Sequence, residues 1–178
     1  MAVFVCLVRA IGPVTHAKMS MAALREACTE AGLGDVATIG NTGNIVLRSE
    51  MSRAAVRKLV QGVVTGFGLG PANEVFIDTP RRMAAAVKAN PFPIAARERP
   101  GEVGVCTFHR APDWNRLSDG HDGPEQIATI GSHLVVAYPA GMSGSRLKIE
   151  KQLGVTMTQR NWTVFCKLTE KAAALARQ

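Results

Sequence analysis

Residues 158–162 read Thr-Gln-Arg-Asn-Trp and bring a guanidinium, amides, a hydroxyl and an indole into five positions, with Lys167-Leu168 close behind. Taken as the start of a last helix over about residues 159–176, they lie where backbone N–H groups lack intrahelical partners. Such a place binds an anion or anchors neighbouring loops. Residues 138–148 form a second place of this kind. Strand, glycine-bearing turn and helix is the order that aims N–H groups at phosphate, and Arg146 and Lys148 add charge there. Ser143 or Ser145 would cap the helix, and a plain cap explains the same residues without a ligand. The spacing G-x-x-x-x-G-K-[ST] is absent, so this is no Walker loop.

Other constellations fail on context. Ser145-x-x-Lys148 formally matches a serine–lysine nucleophile pair, and Ser118-Asp119-Gly120 comes near its usual partner, but no Lys-Thr-Gly follows. Gly66, Gly68 and Gly70 follow a helix, whereas a dinucleotide fingerprint follows a strand. Asp119-Gly120-His121-Asp122 is oxygen-rich, yet a solvated turn accounts for it better than a cation site. Cys6, Cys28, Cys106 and Cys166 are scattered among apolar neighbours with no C-x-x-C, which reads as buried thiols in a reducing cytoplasm, not zinc ligands or disulfides. No metal and no cofactor is expected. No pair of carboxylates, Ser/His/Asp order or Cys/His pairing can be assembled, so whether the chain is an enzyme stays open. Arg81 and Arg82 open a helix whose dipole disfavours them, and Asp78 is the nearby carboxylate expected to offset this. Arg160, Lys167 and Lys171 would share one face of the last helix, a solvated polar face.

The elements that must position these groups come from ordinary globular composition. The chain has 178 residues, 47% hydrophobic and 20% charged, enough for one good core or two small modules. The longest strand-like apolar run, residues 3–8, is cut by Arg9, far short of the roughly 18 residues of a membrane span. It has neither the basic start nor the cleavage site of a secretory signal. A cytoplasmic protein with no membrane partner is expected. Net charge is +7 and the pI about 9.7, which favours acidic partners. The charge is spread out, however, and aromatics are 5%, so there is little to stack bases on.

Residues 3–9 read as a buried strand. Met21, Leu24, Cys28 and Ala31 recur at helical spacing between a Ser20 cap and a Gly32 stop. Short strands over residues 36–40 and 44–48 flank Asn41-Thr42-Gly43, a tight hairpin. Ser52 caps a second helix with Val56, Leu59, Val60, Val63 and Phe67 inward, and residues 74–78 form a fourth strand. The order β-α-β-β-α-β is the split βαβ arrangement of ferredoxin-like modules. Thr79-Pro80 opens a third helix that stops at Asn90, and a proline-rich, charged connector follows over residues 91–101. Then the pattern restarts. Val3-x-Val5-Cys6 with Arg9-Ala10 is echoed by Val103-x-Val105-Cys106 with Arg110-Ala111, and Thr38-Ile39-Gly40 by Thr129-Ile130-Gly131 before a strand at residues 133–138. Order and slots match, which predicts an internal duplication. Residues 110–125 replace the first helix with a loop or short turn around Trp114, and Ile149 and Leu153 face inward from a later helix. The expected fold class is α+β, two tandem ferredoxin-like subdomains: residues 1–90 with the linking helix, connector 91–101, and a degenerate copy at 102–178.

Leu7-Val8-Arg9-Ala10-Ile11, Gly43-Asn44, Asn90-Pro91-Phe92, Ser145-Arg146 and Thr158-x-Arg160-Asn161-Trp162 with Lys167-Leu168 resemble the bacterial family called domain of unknown function 1697, over nearly the whole chain. Members typically show Gly where this chain has Ala10, and Ser where it has Thr42. The resemblance implies two ferredoxin-like subdomains and no activity, since the family is uncharacterised. Its polar signature falls on Arg9, Asn44, Arg160, Asn161 and Lys167, beside Trp162.

Three readings compete for these residues. In one they are structural, Arg160 and Asn161 bridging loop carbonyls. In the second, an anionic small molecule, a nucleotide or phosphorylated metabolite, binds at the seam between halves, with or without turnover. Its ligands would be Arg9, Asn44, Ser145, Arg146, Arg160, Asn161 and Lys167. The third, ranked last, is RNA or DNA binding on a sheet face through Phe4, Phe76 and Phe108.

Overall fold

The computed structural model describes residues 1–117 and 121–178. They form two compact units, one of Met1–Arg81 with Lys167–Gln178 and one of Arg82–Cys166. Composition places the boundary at residues 91–101; in the structure the chain passes between units at Arg81 and Arg82 and again at Cys166 and Lys167.

In the first unit β1 (Ala2–Val8), β2 (Gly34–Thr38), β3 (Asn44–Ser49) and β4 (Val75–Asp78) form an antiparallel sheet in the order β2-β3-β1-β4. The central strand pairs Phe4 with Leu47 on one side and Cys6 with Ile77 on the other. Phe4, Cys6 and Val8 pack on Leu24 and Cys28 of α2 (Met21–Glu30) and on Val56, Val60 and Val64 of α3 (Arg53–Gly66). Ser20 accepts the N–H of Ala23 at 3.1 Å, and Ser52 that of Ala55 at 3.3 Å. These are the N-caps that their types and positions predict. Before α2 stands a helix that the apolar spacing does not announce, α1 (Pro13–Lys18). Proline opens it, as its missing N–H and fixed φ allow. The Thr15 hydroxyl both accepts the Gly12 N–H and donates to the Gly12 carbonyl, each at 2.7 Å.

The hairpin between β2 and β3 depends on Gly43. Its φ is +71°, and a Cβ there would come within 2.7 Å of Val8 Cβ and 2.8 Å of Ile11 Cγ1. Only glycine meets both conditions without strain. The Asn44 amide donates to the Ile39 carbonyl and to Thr42 Oγ1, both at 2.9 Å.

The second unit takes in most of α4 (Pro80–Ala89), then α5 (Pro93–Glu98) and a 3-10 turn (Pro100–Glu102). The segment expected as a connector is therefore folded, with Pro93 and Pro100 each opening a turn that their fixed φ suits. Its sheet, in the order β6-β7-β5-β8, is antiparallel throughout: β5 (Val103–Thr107), β6 (Gln126–Ile130), β7 (His133–Ala137) and β8 (Thr158–Asn161). A 3-10 turn (Trp114–Leu117) stands where a turn around Trp114 is expected, and Trp114 meets Phe108 edge-on at 5.5 Å, a favoured aromatic geometry. Ile149 and Leu153 of α6 (Ile149–Leu153) pack inward with Leu134, Val136 and Phe108.

Two expectations are corrected. Residues 158–161 are not a helix start but the strand β8, with Arg160 opposite Val105 and Gln159 opposite Cys106. Pairing with β5 satisfies the backbone groups that a helix start would leave free. The last helix, α7 (Trp162–Ala176), begins only after Asn161, whose Oδ1 accepts the Val164 N–H at 2.9 Å. Arg160 thus cannot share a helix face with Lys167 and Lys171. Likewise α6 is a short helix capped at Lys148 without a side-chain bond, not a helix capped by Ser143 or Ser145. Among the described residues no helix is long and apolar enough to cross a membrane.

Candidate functional site

The turn after β7 places Ser145 between two groups. Its hydroxyl donates to Glu125 Oε1 and accepts the Leu147 N–H at 3.1 Å, so it fixes the loop that leads into α6. Glu125 Oε2 lies 3.1 Å from His121 Nε2. Gly123 makes this approach feasible, because a Cβ there would stand 2.3 Å from Glu125 Oε2 and 2.6 Å from His121 Cε1. The Ser145 hydroxyl holds the Glu125 carboxyl below its ordinary range against the opposing effect of burial, and His121 adds to the lowering.

This cluster lines a cavity of about 750 Å³, whose other polar lining among the described residues is Arg146, Lys148, Lys151, Asp122 and Gln152. Among the described residues three cationic and two acidic side chains belong to its lining, and one of the carboxylates accepts the Ser145 hydroxyl. The arrangement suits an anion. It does not activate a nucleophile: the Ser145 proton points to a carboxylate of lowered basicity, and His121 lies across that carboxylate from the serine.

A second cavity of about 400 Å³ shares Ser145, Lys148 and Lys151 with the first. Gln159 also lines it; its Oε1 accepts from the Tyr138 hydroxyl at 2.8 Å and from Cys106 Sγ at 3.1 Å, while Nε2 donates to Met142 Sδ at 2.9 Å. Gly104 makes room for this amide, since a Cβ there would meet Gln159 Cδ at 2.5 Å.

The residues singled out in the sequence divide accordingly. Ser145 and Arg146 line the basic cavity together. Arg160 is 9% exposed, and its Nη1 donates to Thr158 Oγ1 at 2.8 Å and to the Gln159 carbonyl at 2.9 Å; burial pulls its pKa down to about 10. Asn161 caps α7, Asn44 is buried in the hairpin, and Lys167 is exposed on α7. Arg9 follows β1, and its carbonyl accepts from Asn73 Nδ2 at 3.1 Å. Phe4, Phe76 and Phe108 are all buried, so none presents a ring for a base to stack on. Asp78 accepts the Thr79 N–H at 2.8 Å, and Arg82 donates to Ser132 Oγ. Ser118, Asp119 and Gly120 lie outside the described residues, and among those described no group of His, Cys, Asp and Glu could hold a metal. Sequence reasoning missed Glu125, Lys151 and Gln159 as parts of a site. Only the spacing of His121 and Glu125 is visible in the sequence.

A family model described as protein of unknown function, DUF1697, matches residues 1–134, and so ends before the Thr158–Asn161 strand. The chain is also similar in fold to the conserved bacterial protein SP0830 from Streptococcus pneumoniae, at 21% identity and a TM-score of 0.73, over 97% of this chain and 99% of that one. No curated protein matches it.

Proposed function

The chain belongs to the DUF1697 family, whose function is unknown, and we propose that it binds an anionic small molecule of the phosphate-ester class in the basic cavity of its second unit. The observation that carries this reading is that Arg146, Lys148 and Lys151 all line one concavity of about 750 Å³. Ligand sites commonly measure roughly 300–1,000 Å³. The net charge of +7 adds long-range attraction for such a ligand. Arg146 is kept as a ligand in this reading; Ser145, whose hydroxyl donates to Glu125, serves by fixing the loop, and Arg160 and Asn161 are used within the fold.

The common strand order of the two sheets, and the echoed segments that open them, support reading the units as ferredoxin-like copies of one ancestor. Four free cysteines, three of them buried, suit a cytoplasmic location.

Thermal unfolding in the presence of phosphate, pyrophosphate and sugar phosphates tests the binding reading. Stabilisation of the native protein, lost in a variant carrying Arg146→Ala, Lys148→Ala and Lys151→Ala that melts at the native temperature without ligand, is the expected result. No shift with any phosphate compound, or shifts that persist in the variant, would remove the cavity as the site.

A further inference from the structure

We infer that the ligand is a nucleotide, its phosphate among Arg146, Lys148 and Lys151 and its heteroaromatic base in the adjoining cavity over Gln159. The inference rests on the phosphate-binding reading above and adds the identity of the ligand's body.

Three features of the second cavity point to a flat ring with polar edges. First, the two cavities share Ser145, Lys148 and Lys151, so a ligand whose phosphate is held by the two lysines can extend into the second. Second, the lining there includes Met142, Leu147, Ile149, Met157 and Tyr138, beside Glu150, whose Oε1 accepts the Met157 N–H at 2.9 Å, and thioethers pack favourably on aromatic rings. Third, Gln159 presents a donor in a fixed orientation. The Tyr138 hydroxyl and Cys106 thiol both donate to its Oε1, which locks the amide's rotation and turns the NH₂ group away. That group spends a hydrogen on the sulfur of Met142, a weak acceptor. A ring nitrogen or exocyclic carbonyl is a better acceptor, and a base supplies one at the edge of an apolar plane. An alkyl chain supplies none.

Calorimetric titration of the full chain with adenosine monophosphate, ribose 5-phosphate and octyl phosphate separates the parts. All three carry the phosphate, and only the first carries a base. The nucleotide should bind at least about tenfold more tightly than either of the others, in keeping with burial of one ring face. Gln159→Leu should bring the nucleotide down to the affinity of ribose 5-phosphate while leaving the latter unchanged. Because Gln159 also anchors Tyr138 and Cys106, Met157→Ala serves as an independent variant, removing part of the apolar wall without adding charge beside the lysines, with the same expected direction of loss. Equal affinity for nucleotide and ribose 5-phosphate, preference for octyl phosphate, or an advantage untouched by both variants would overturn the inference and leave phosphate binding standing. Failure of all three compounds to bind would overturn both.

Discussion

Ser145 donates its hydroxyl proton to Glu125, and that one bond ties the turn after β7 to the segment before β6. Because it holds the Glu125 carboxyl below its ordinary range, it also links stability to pH. A carboxyl whose folded pKa is depressed contributes stability above its unfolded pKa, near 4.5, and loses that contribution as pH falls through the folded value. Ser145→Ala should therefore lower stability at pH 7, and the difference from the native protein should shrink on acidification. Urea denaturation of both proteins at pH 7 and pH 3 measures this; a gap that is the same at both pH values would mean that the bond to Glu125 is not its source.

Ala10 holds φ +57°, a left-handed conformation that a Cβ disfavours. Asn73 Nδ2 pins the turn by donating to the Arg9 and Ala10 carbonyls at 3.1 and 3.2 Å, so the conformation is imposed by the surroundings. Ala10→Gly should stabilise the protein by about 0.5–1 kcal/mol, strain relief outweighing the added freedom of the unfolded chain. A lower midpoint in denaturant would contradict this.

Gly43→Ala runs the other way. The nearest atoms to a new Cβ are the Val8 Cβ, which its backbone fixes in place, and the Ile11 Cγ1, and the φ is left-handed. Together these should cost about 2–4 kcal/mol. Equilibrium unfolding measures the loss, and a change under about 1 kcal/mol would show that the hairpin relaxes.

The thiols make stability fall in alkali. Burial pushes Cys28 up to about 11 and drives Cys6 and Cys106 higher still. Unfolded thiols ionise near pH 9 while the folded ones keep their protons, so the unfolded state gains with each further rise in pH. Each such thiol contributes up to about 1.4 kcal/mol per pH unit in this window. Stability measured at pH 8 and pH 10 should drop, and Cys6→Ala should reduce the drop. A flat profile between those two values would contradict the assignment to buried thiols.

How legible this protein is depends on whether a residue's neighbours are local. Ser20 and Ser52 cap helices whose first turns they adjoin, and both caps follow from the sequence. So does the hairpin at Gly43, where the left-handed φ and the Asn44 amide bonds to Ile39 and Thr42 are local, although the steric demand of Val8 and Ile11 is met only in space. Arg160 is misplaced by sequence reasoning because nothing in Thr-Gln-Arg-Asn alternates apolar with polar; its strand character comes from Val105 and Cys106 across the sheet. Ser145 draws notice as a polar residue in a glycine-bearing turn, but its partner Glu125 is met only in space. Lys151 and Gln159 likewise gain meaning from the cavities they line. The proline-rich stretch at 91–101 reads as a connector because its helix and 3-10 turn are too short to show a periodicity.

The central claim is that Arg146, Lys148 and Lys151 form a phosphate site. Calorimetric titration with pyrophosphate at two salt concentrations tests it most directly, comparing the native chain with Lys148→Ala/Lys151→Ala. Saturable binding of one equivalent that weakens with salt, and that falls by about tenfold or more in the double variant, is the result the account predicts. Native binding that is absent, or that survives intact in the double variant, would contradict it.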